Sequence, residues 1–286
     1  MKNPEYLLSY AKKVHSQSGE DGIIERILKV IPDRDNWCVE FGAWDGQHLS
    51  NTRYLIEDFD FNAVLIEGDP VKYSGLKKFY DSNDKVIPLN RFVGWTNSDT
   101  LDHILKETDI PKNFDFLSVD IDGNDYHVLA ALAEYKPKAI CVEYNPTIPN
   151  DVEFVQKSDF SINQGSSLLS FVNLGKRMGY ELVAALPYNA FFVKNEYFHL
   201  FNIEDNSHSI LREDLSYISN IFSGFDGTIF LSGAKRLPWH GIQIPVENFQ
   251  LLPRYLRQFP DNYSFLQKYL FWIFKQFLRI KSKIRS

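Results

Sequence analysis

CVEFGAWDGQHLSNT, Cys38–Thr52, runs from an apolar strand pattern into a turn with two glycines, then into a polar cluster suited to opening a helix. A dinucleotide site would want G-x-G-x-x-G after the strand, and this stretch offers only Gly42 and Gly46, with Glu40 ahead of them. An acid at the strand end repels phosphate and favours a cation. The turn therefore points to a nucleoside that carries positive charge and no phosphate. Gly42 and Gly46 would let the backbone approach such a ligand closely, and Asp45 lies where it can meet a ligand ammonium.

Outward from this turn, strand and helix patterns alternate. Strands are expected at 37–42, 63–67, 86–89, 116–121 and 139–144, with helical spacing in NTRYLIEDF, VKYSGLKKFY, DTLDHILKE and DYHVLAALAEY between them. Near-continuous apolar strands separated by helices indicate a parallel sheet covered on both faces. Upstream, GEDGIIERILKVI spaces its isoleucines as a helix closed by Pro32. Downstream, SSLLSFVNLGKRMGY gives one more helix with Gly179 as its stop, and YELVAAL and AFFVKN make a terminal hairpin. Past Tyr197 the βα rhythm is lost, which sets expected domains at 1–196, 197–263 and 264–286.

The 286 residues are 44% hydrophobic, enough for one large core and an appended subdomain. A net charge of −6 argues against a whole-chain nucleic-acid binder, whose footprint is a basic face. Cys38 and Cys141 fall in interior strands without metal-ligand spacing, so both read as buried free thiols, and a cytoplasmic location fits. The first residues lack the apolar run of a signal peptide, and no stretch is long and uncharged enough to span a membrane.

Ligands of open parallel sheets bind outside the carboxyl ends of the strands. Those ends carry Glu40 and Asp45, then Glu67 and Asp69, then Asp120, Asp122 and Asp125, then Glu143 and Asn145. One such acid is readily a helix cap, but several on one edge repel each other unless a cation, a set of sugar hydroxyls or a metal sits among them. Glu67 is placed to accept both ribose hydroxyls of a nucleoside, while Asp69 and Pro70 suit the start of the next helix.

VEFGAWDG followed by IEGDP resembles motifs I and II of S-adenosylmethionine-dependent methyltransferases. SVDIDGNDYHVL with GEDGIIERI resembles the FkbM-like branch, many of whose members O-methylate sugars and polyketide-type hydroxyls. The resemblance spans roughly residues 16–194 and implies a Rossmann-like α/β methyltransferase fold: a mostly parallel seven-stranded sheet with a C-terminal hairpin, followed here by a C-terminal extension. It implies that Glu40 and the turn from Gly42 to Gly46 hold the methionine part of the cofactor, Glu67 the ribose, and Phe92 and Val93 the adenine. The family's D-x-E-G is DIDG here, so Asp122 takes the Glu position with a shorter reach. Asp120, Asp122, Glu143 and Asn145 also resemble the oxygen ligands of magnesium-dependent O-methyltransferases. A hard ion such as Mg²⁺ would lower the pKa of an acceptor hydroxyl, whereas the other reading makes these acids loop caps that also bind the cofactor ammonium.

The expected reaction is methyl transfer to a sugar or glycan-like hydroxyl, as in surface polysaccharide biosynthesis. Asp120 and Asp122 stand at the chemistry, and His240, beside Trp239, is the candidate base on the substrate side. Two rivals are weighed: a glycosyltransferase using DID to hold a metal and a sugar nucleotide, which would want basic residues at this edge, and a non-catalytic binding protein on the same fold. From Ser264 onward the chain has Lys268, Lys275, Arg279, Lys281, Lys283 and Arg285 and no acid, so all 37 acidic residues precede it. As a helix this tail places Leu266, Leu270, Ile273, Phe277, Ile280 and Ile284 on one stripe, a surface for the body of the protein, a second subunit or the inner face of a membrane.

Overall fold

The computed structural model describes residues 6–285, with side chains through residue 280. The first five residues of the polar entry segment, and the side chains of Lys281, Lys283, Ile284 and Arg285, lie outside the described residues. The chain divides into two compact units, residues 1–215 and 216–286, so the short helices just beyond Tyr197 group with the sheet.

In the first unit the elements are α1 (Glu20–Val30), β1 (Trp37–Phe41), α2 (Arg53–Phe59), β2 (Asn62–Ile66), α3 (Pro70–Phe79), β3 (Val86–Leu89), α4 (Leu101–Leu105), β4 (Phe116–Val119), α5 (Asp125–Ala130), β5 (Ala139–Glu143), α6 (Leu168–Met178), β6 (Tyr180–Ala185), β7 (Asn189–Lys194), α7 (Asn195–Phe198) and α8 (His208–Leu211). They build the expected seven-stranded sheet in the order β3-β2-β1-β4-β5-β7-β6. All pairs are parallel except those of β7, which runs antiparallel between β5 and β6 and closes the hairpin. β1, β2, β4 and β5 stop one or two residues short of their expected ends.

Local chemistry sets the element ends. Asp69 accepts from the N–H groups of Val71 and Lys72, with Pro70 in the first turn of α3, so Asp69 rather than Glu67 caps that helix. Gly179 ends α6 in the left-handed conformation. Asp102 gathers the N–H groups of Ala133, Glu134 and Tyr135, fixing the chain beyond α5.

Strand alternation sends side chains to two cores. Val39, Phe41, Val64, Ile66, Leu117, Val119, Ile140 and Val142 pack under α4, α5 and α6. Cys38, Ala63, Leu65, Phe116 and Cys141 pack on the other face with α1, α2 and α3, and both cysteines are buried and free. Glu40 and Glu143 share the parity of Cys38 and Cys141, which turns them to this second face.

Register aligns the strand ends. Phe41 lies opposite both Ile66 and Val119, and Val119 opposite Val142. The next residues, Gly42, Glu67, Asp120 and Glu143, therefore form one row along the carboxyl edge. The order reverses between β1 and β4, and that switch point lies inside the row.

The second unit holds an antiparallel hairpin, β8 (Ser219–Ser223) with β9 (Ile229–Gly233), and α9 (Phe265–Arg285). The loss of βα rhythm past Tyr197 thus conceals a hairpin that the sequence reading does not anticipate. Among the described residues no helix is long and apolar enough to cross a membrane.

Candidate active site at the carboxyl edge

Glu40, at the end of β1, is buried and fully engaged by its own chain. Its carboxylate accepts from Ser50 Oγ (2.6 Å), Thr52 Oγ1 (2.7 Å) and the Asn51 N–H (2.8 Å). These bonds tie the polar cluster before α2 to the strand. Burial raises the Glu40 carboxyl above its ordinary range, against the pull of those donors.

The turn after β1 has both glycines in the left-handed region, φ 75° at Gly42 and 74° at Gly46. The space each one frees faces protein. A Cβ on Gly42 would lie 1.9 Å from the Asp120 carbonyl oxygen, and one on Gly46 would lie 2.7 Å from Leu76 and Tyr80 side-chain atoms. Their conformational freedom is used to bring β1 against the end of β4 and the turn against α3. That is a reason for glycine at both positions that needs no ligand. Asp45 accepts from the N–H groups of Gln47 (2.9 Å) and His48 (2.8 Å) and so caps the turn. Burial works to raise its carboxyl, but these N–H donors outweigh it and hold Asp45 below the usual carboxylate range.

Glu67 is pinned from two sides. The Trp44 N–H donates to one carboxylate oxygen (2.9 Å) and the Asp69 N–H to the other (2.7 Å). A carboxylate has about four acceptor sites, so two remain for a ligand. Beside it, Phe92 lies against Gly68 and is exposed, while Val93 is buried in the core under α4. Of the two residues expected near an adenine, only Phe92 presents its side chain to solvent. Phe92 meets Phe160 edge-on (4.6 Å between ring centroids), and Phe160 stacks on Trp95 (4.1 Å). Phe160 and Trp95 escape the sequence reading because the three rings are brought together across more than sixty residues. Trp44 escapes it too: its ring lies 3.6 Å below the Lys72 ammonium, and only its place in the turn could have singled it out.

The ends of β4 and β5 bring three acids together. Single carboxylate oxygens of Asp120, Asp122 and Glu143 all lie within 4.8 Å of one another. Asp122 sits in the left-handed region, at φ 57°. Burial pushes Asp120 well above the carboxylate range, and the charges of Asp125, Asp122 and Glu40 add to this. Burial does the same to Glu143, with Asp120, Asp125 and Asp122 adding, and among the described residues no hydrogen-bond donor opposes the shift. Asp125 serves the loop. It accepts from the N–H groups of Ile121 (2.8 Å) and Gly123 (2.9 Å), and burial lifts its carboxyl to about 6.

Asn145 is committed elsewhere. Its carbonyl oxygen accepts from the Thr147 N–H and hydroxyl, and its amide donates to the Gln164 carbonyl. The loop it anchors is held from below by the buried Arg212, whose guanidinium donates to the Ile148 carbonyl (2.8 Å), the Asn150 side chain (2.9 Å) and the Pro146 carbonyl. His240 belongs to the second unit, exposed beside Trp239 in a turn closed by the Leu237 and Ile242 backbone.

The methyltransferase FkbM domain family matches residues 96–182, from just before α4 into β6, a stretch that contains Asp120, Asp122, Glu143 and Asn145. No curated protein matches the chain. Among solved structures, a SAM dependent methyltransferase from Aquifex aeolicus is similar at 11% identity, covering 67% of this chain and 97% of that one with a TM-score of 0.38. The precorrin-6y C5,15-methyltransferase from Geobacter metallireducens GS-15 is similar at 12% identity, with 64% and 92% covered and a TM-score of 0.40. TYW2 of M. jannaschii, in complex with AdoMet, is similar at 13% identity, with 64% and 79% covered and a TM-score of 0.35. At these scores the likenesses carry no inference about chemistry. The domain match falls on the half of the sheet that bears the acid group, and the strand order is that of the methyltransferase fold. Residues 96–182 match the methyltransferase FkbM domain, and the sheet that carries the match has the order β3-β2-β1-β4-β5-β7-β6.

Proposed function

We propose that the chain transfers the methyl group of S-adenosylmethionine to a hydroxyl of a sugar or glycan-like acceptor, in the cytoplasm and in the assembly of surface polysaccharide. The observation that carries the reading is the convergence of Asp120, Asp122 and Glu143 on the same sheet edge as the pinned Glu67. In this reading Glu67 receives the ribose hydroxyls on its two open acceptor sites, and Phe92 offers its ring to the adenine. The acid row attracts the sulfonium of the cofactor. Glu40 contributes at second hand, since its carboxylate is spent on holding the residues before α2.

Methyl transfer by in-line displacement forms one O–C bond, breaks one S–C bond and releases the acceptor proton. Asp120, whose proton affinity is raised by burial, is suited to take that proton at one carboxylate oxygen. The three acids also fit a hard cation: all are oxygen donors, they lie close together, and Glu143 has no donor of its own. Bound there, Mg²⁺ would polarise the acceptor hydroxyl. Asp120, Asp122 and Glu143 would hold it, with Asn145 contributing only if its bonds to Thr147 gave way.

Calorimetry with S-adenosylmethionine tests the cofactor half. Glu67→Ala should weaken binding by about 1.5–3 kcal/mol while the protein stays folded. Equal affinity would remove Glu67 from the site, and binding of UDP-sugar in place of S-adenosylmethionine would favour the glycosyltransferase. Transfer of labelled methyl to sugar acceptors tests the other half. Loss of turnover in EDTA, restored by Mg²⁺, assigns the metal, and full activity in EDTA assigns the proton-acceptor role alone. Turnover in His240→Ala at the parent rate would withdraw the base expected at His240.

A further inference from the structure

The helix α9 carries an apolar stripe that nothing in its own unit covers. At about 100° per residue, Leu266, Tyr269, Ile273, Phe277 and Ile280 fall within one quarter of the helix surface. All five are exposed, Leu266 at 64%, Phe277 at 58% and Ile280 at 59%. Lys268, Lys275 and Arg279 gather on the opposite side. Tyr269 and Trp272 stack along the helix (6.4 Å), and both are exposed, ring types suited to a boundary between water and hydrocarbon. In the same unit, the tip of the β8–β9 hairpin raises Phe225 at 92% exposure. An apolar surface of this extent signals an interaction.

We propose that α9 docks in the plane of a bilayer surface bearing anionic phospholipid headgroups, its stripe in the acyl boundary and its cations among the phosphates. Charge selects this occupant. With half-buried Leu270 in place of Tyr269, the set Leu266, Leu270, Ile273, Phe277 and Ile280 has the alternating three- and four-residue spacing that also suits a helix pair. A second copy would bring the same cations and no acid, since in the sequence no Asp or Glu follows Ser264. An anionic surface gives each cation a counter-charge and leaves none opposed. The helix meets the conditions for lying in an interface and fails those for crossing it.

The test is sedimentation of the full chain with vesicles of phosphatidylcholine alone and of phosphatidylcholine with phosphatidylglycerol, at low and high salt. Binding should require the anionic lipid and weaken with salt. Neutralising Lys268, Lys275 and Arg279 together to Gln should weaken it roughly a hundredfold, at about 1 kcal/mol for each cation. Ile273→Asp with Phe277→Asp should abolish it, and an unchanged melting temperature in both variants keeps misfolding out of the comparison. The proposal is overturned by no pelleting with either vesicle, by equal pelleting with both, or by anionic binding that the Gln variant retains. Light scattering that shows a dimer which the Asp variant dissolves, without loss of lipid binding, would assign the stripe to a second copy and overturn it equally.

Discussion

Two groups of acids occupy the same edge of the same sheet, and the chain supplies hydrogen-bond donors richly to one and sparingly to the other, where the Asp122 N–H reaches Asp120. At the end of β1, Glu40 collects Ser50, Asn51 and Thr52, and Asp45 collects two N–H groups of its own turn. At the ends of β4 and β5, Asp120, Asp122 and Glu143 face one another, and burial raises Asp120 and Glu143. A donor-rich acid is a structural fastener. A donor-poor cluster is held together by the fold at a cost, and a cation, a proton or a ligand relieves that cost. The comparison separates the part of the edge that builds the site from the part left open for chemistry.

The sharpest way to break the comparison is at the joint between the two groups. Gly42→Ala combines a positive φ with a Cβ placed 1.9 Å from the Asp120 carbonyl oxygen, and should cost about 3 kcal/mol or more in urea unfolding. A loss under 1 kcal/mol would mean that the joint yields easily. Next in size, Glu40→Ala leaves buried hydroxyl and N–H donors unmatched and should cost about 2–3 kcal/mol, read as a lower urea midpoint at unchanged slope. A near-neutral result would deny Glu40 its fastening role.

The pH dependence sets Asp45 apart: it carries the opposite sign to Asp120 and Glu143, whereas Glu40, raised by burial despite its donors, shares theirs. Asp120 and Glu143, raised chiefly by burial, stay protonated in the folded state above about pH 4, where unfolded carboxylates ionise. Their contribution to stability is therefore present below that pH and fades as pH rises through their folded values. Asp45, lowered by its donors, contributes stability above about pH 4 that is lost as pH falls through its folded value. Stability followed by urea melts should decline from about pH 4 toward neutrality in the parent and less steeply in Asp122→Asn, which removes one of the neighbouring charges. Parallel profiles would mean that the cluster does not set the slope. The smallest effect is that of Asp122→Asn itself at neutral pH, a gain of about 0.5–1 kcal/mol, since Asn tolerates φ 57° and brings no charge. A loss of stability would show that Asp122 has a partner worth more than the repulsion it causes.

The fold was largely legible because its signals are local and periodic. Apolar runs marked the strands of the sheet, Gly179 stopped α6 where expected, and YELVAAL and AFFVKN closed as β6 and β7. The strand-end acids were visible as a row because parallel strands in register put their ends together. What could not be read is how each acid is partnered. Nothing local says that Glu40 is met by residues ten to twelve positions away, that Asn145 spends its amide on Thr147 and Gln164, or that Phe92, Phe160 and Trp95 share one wall. The glycine positions were found, but the reason for them lay in the third dimension. The β8–β9 hairpin went unread because its exposed strands lack a buried alternating face.

The contact between Gly42 and Asp120 also bears on motion. With no room for a methyl group between the first turn and the fourth strand's end, that seam cannot serve as a hinge: a displacement of Asp120 toward Gly42 is passed directly to the turn that supports Glu67 through Trp44. The two halves of the edge are thus coupled through one backbone contact. Adjustment to different acceptors then falls to the loops beyond β5, where the Arg212 guanidinium clasps carbonyl groups and a change of grip costs no backbone strain in the sheet.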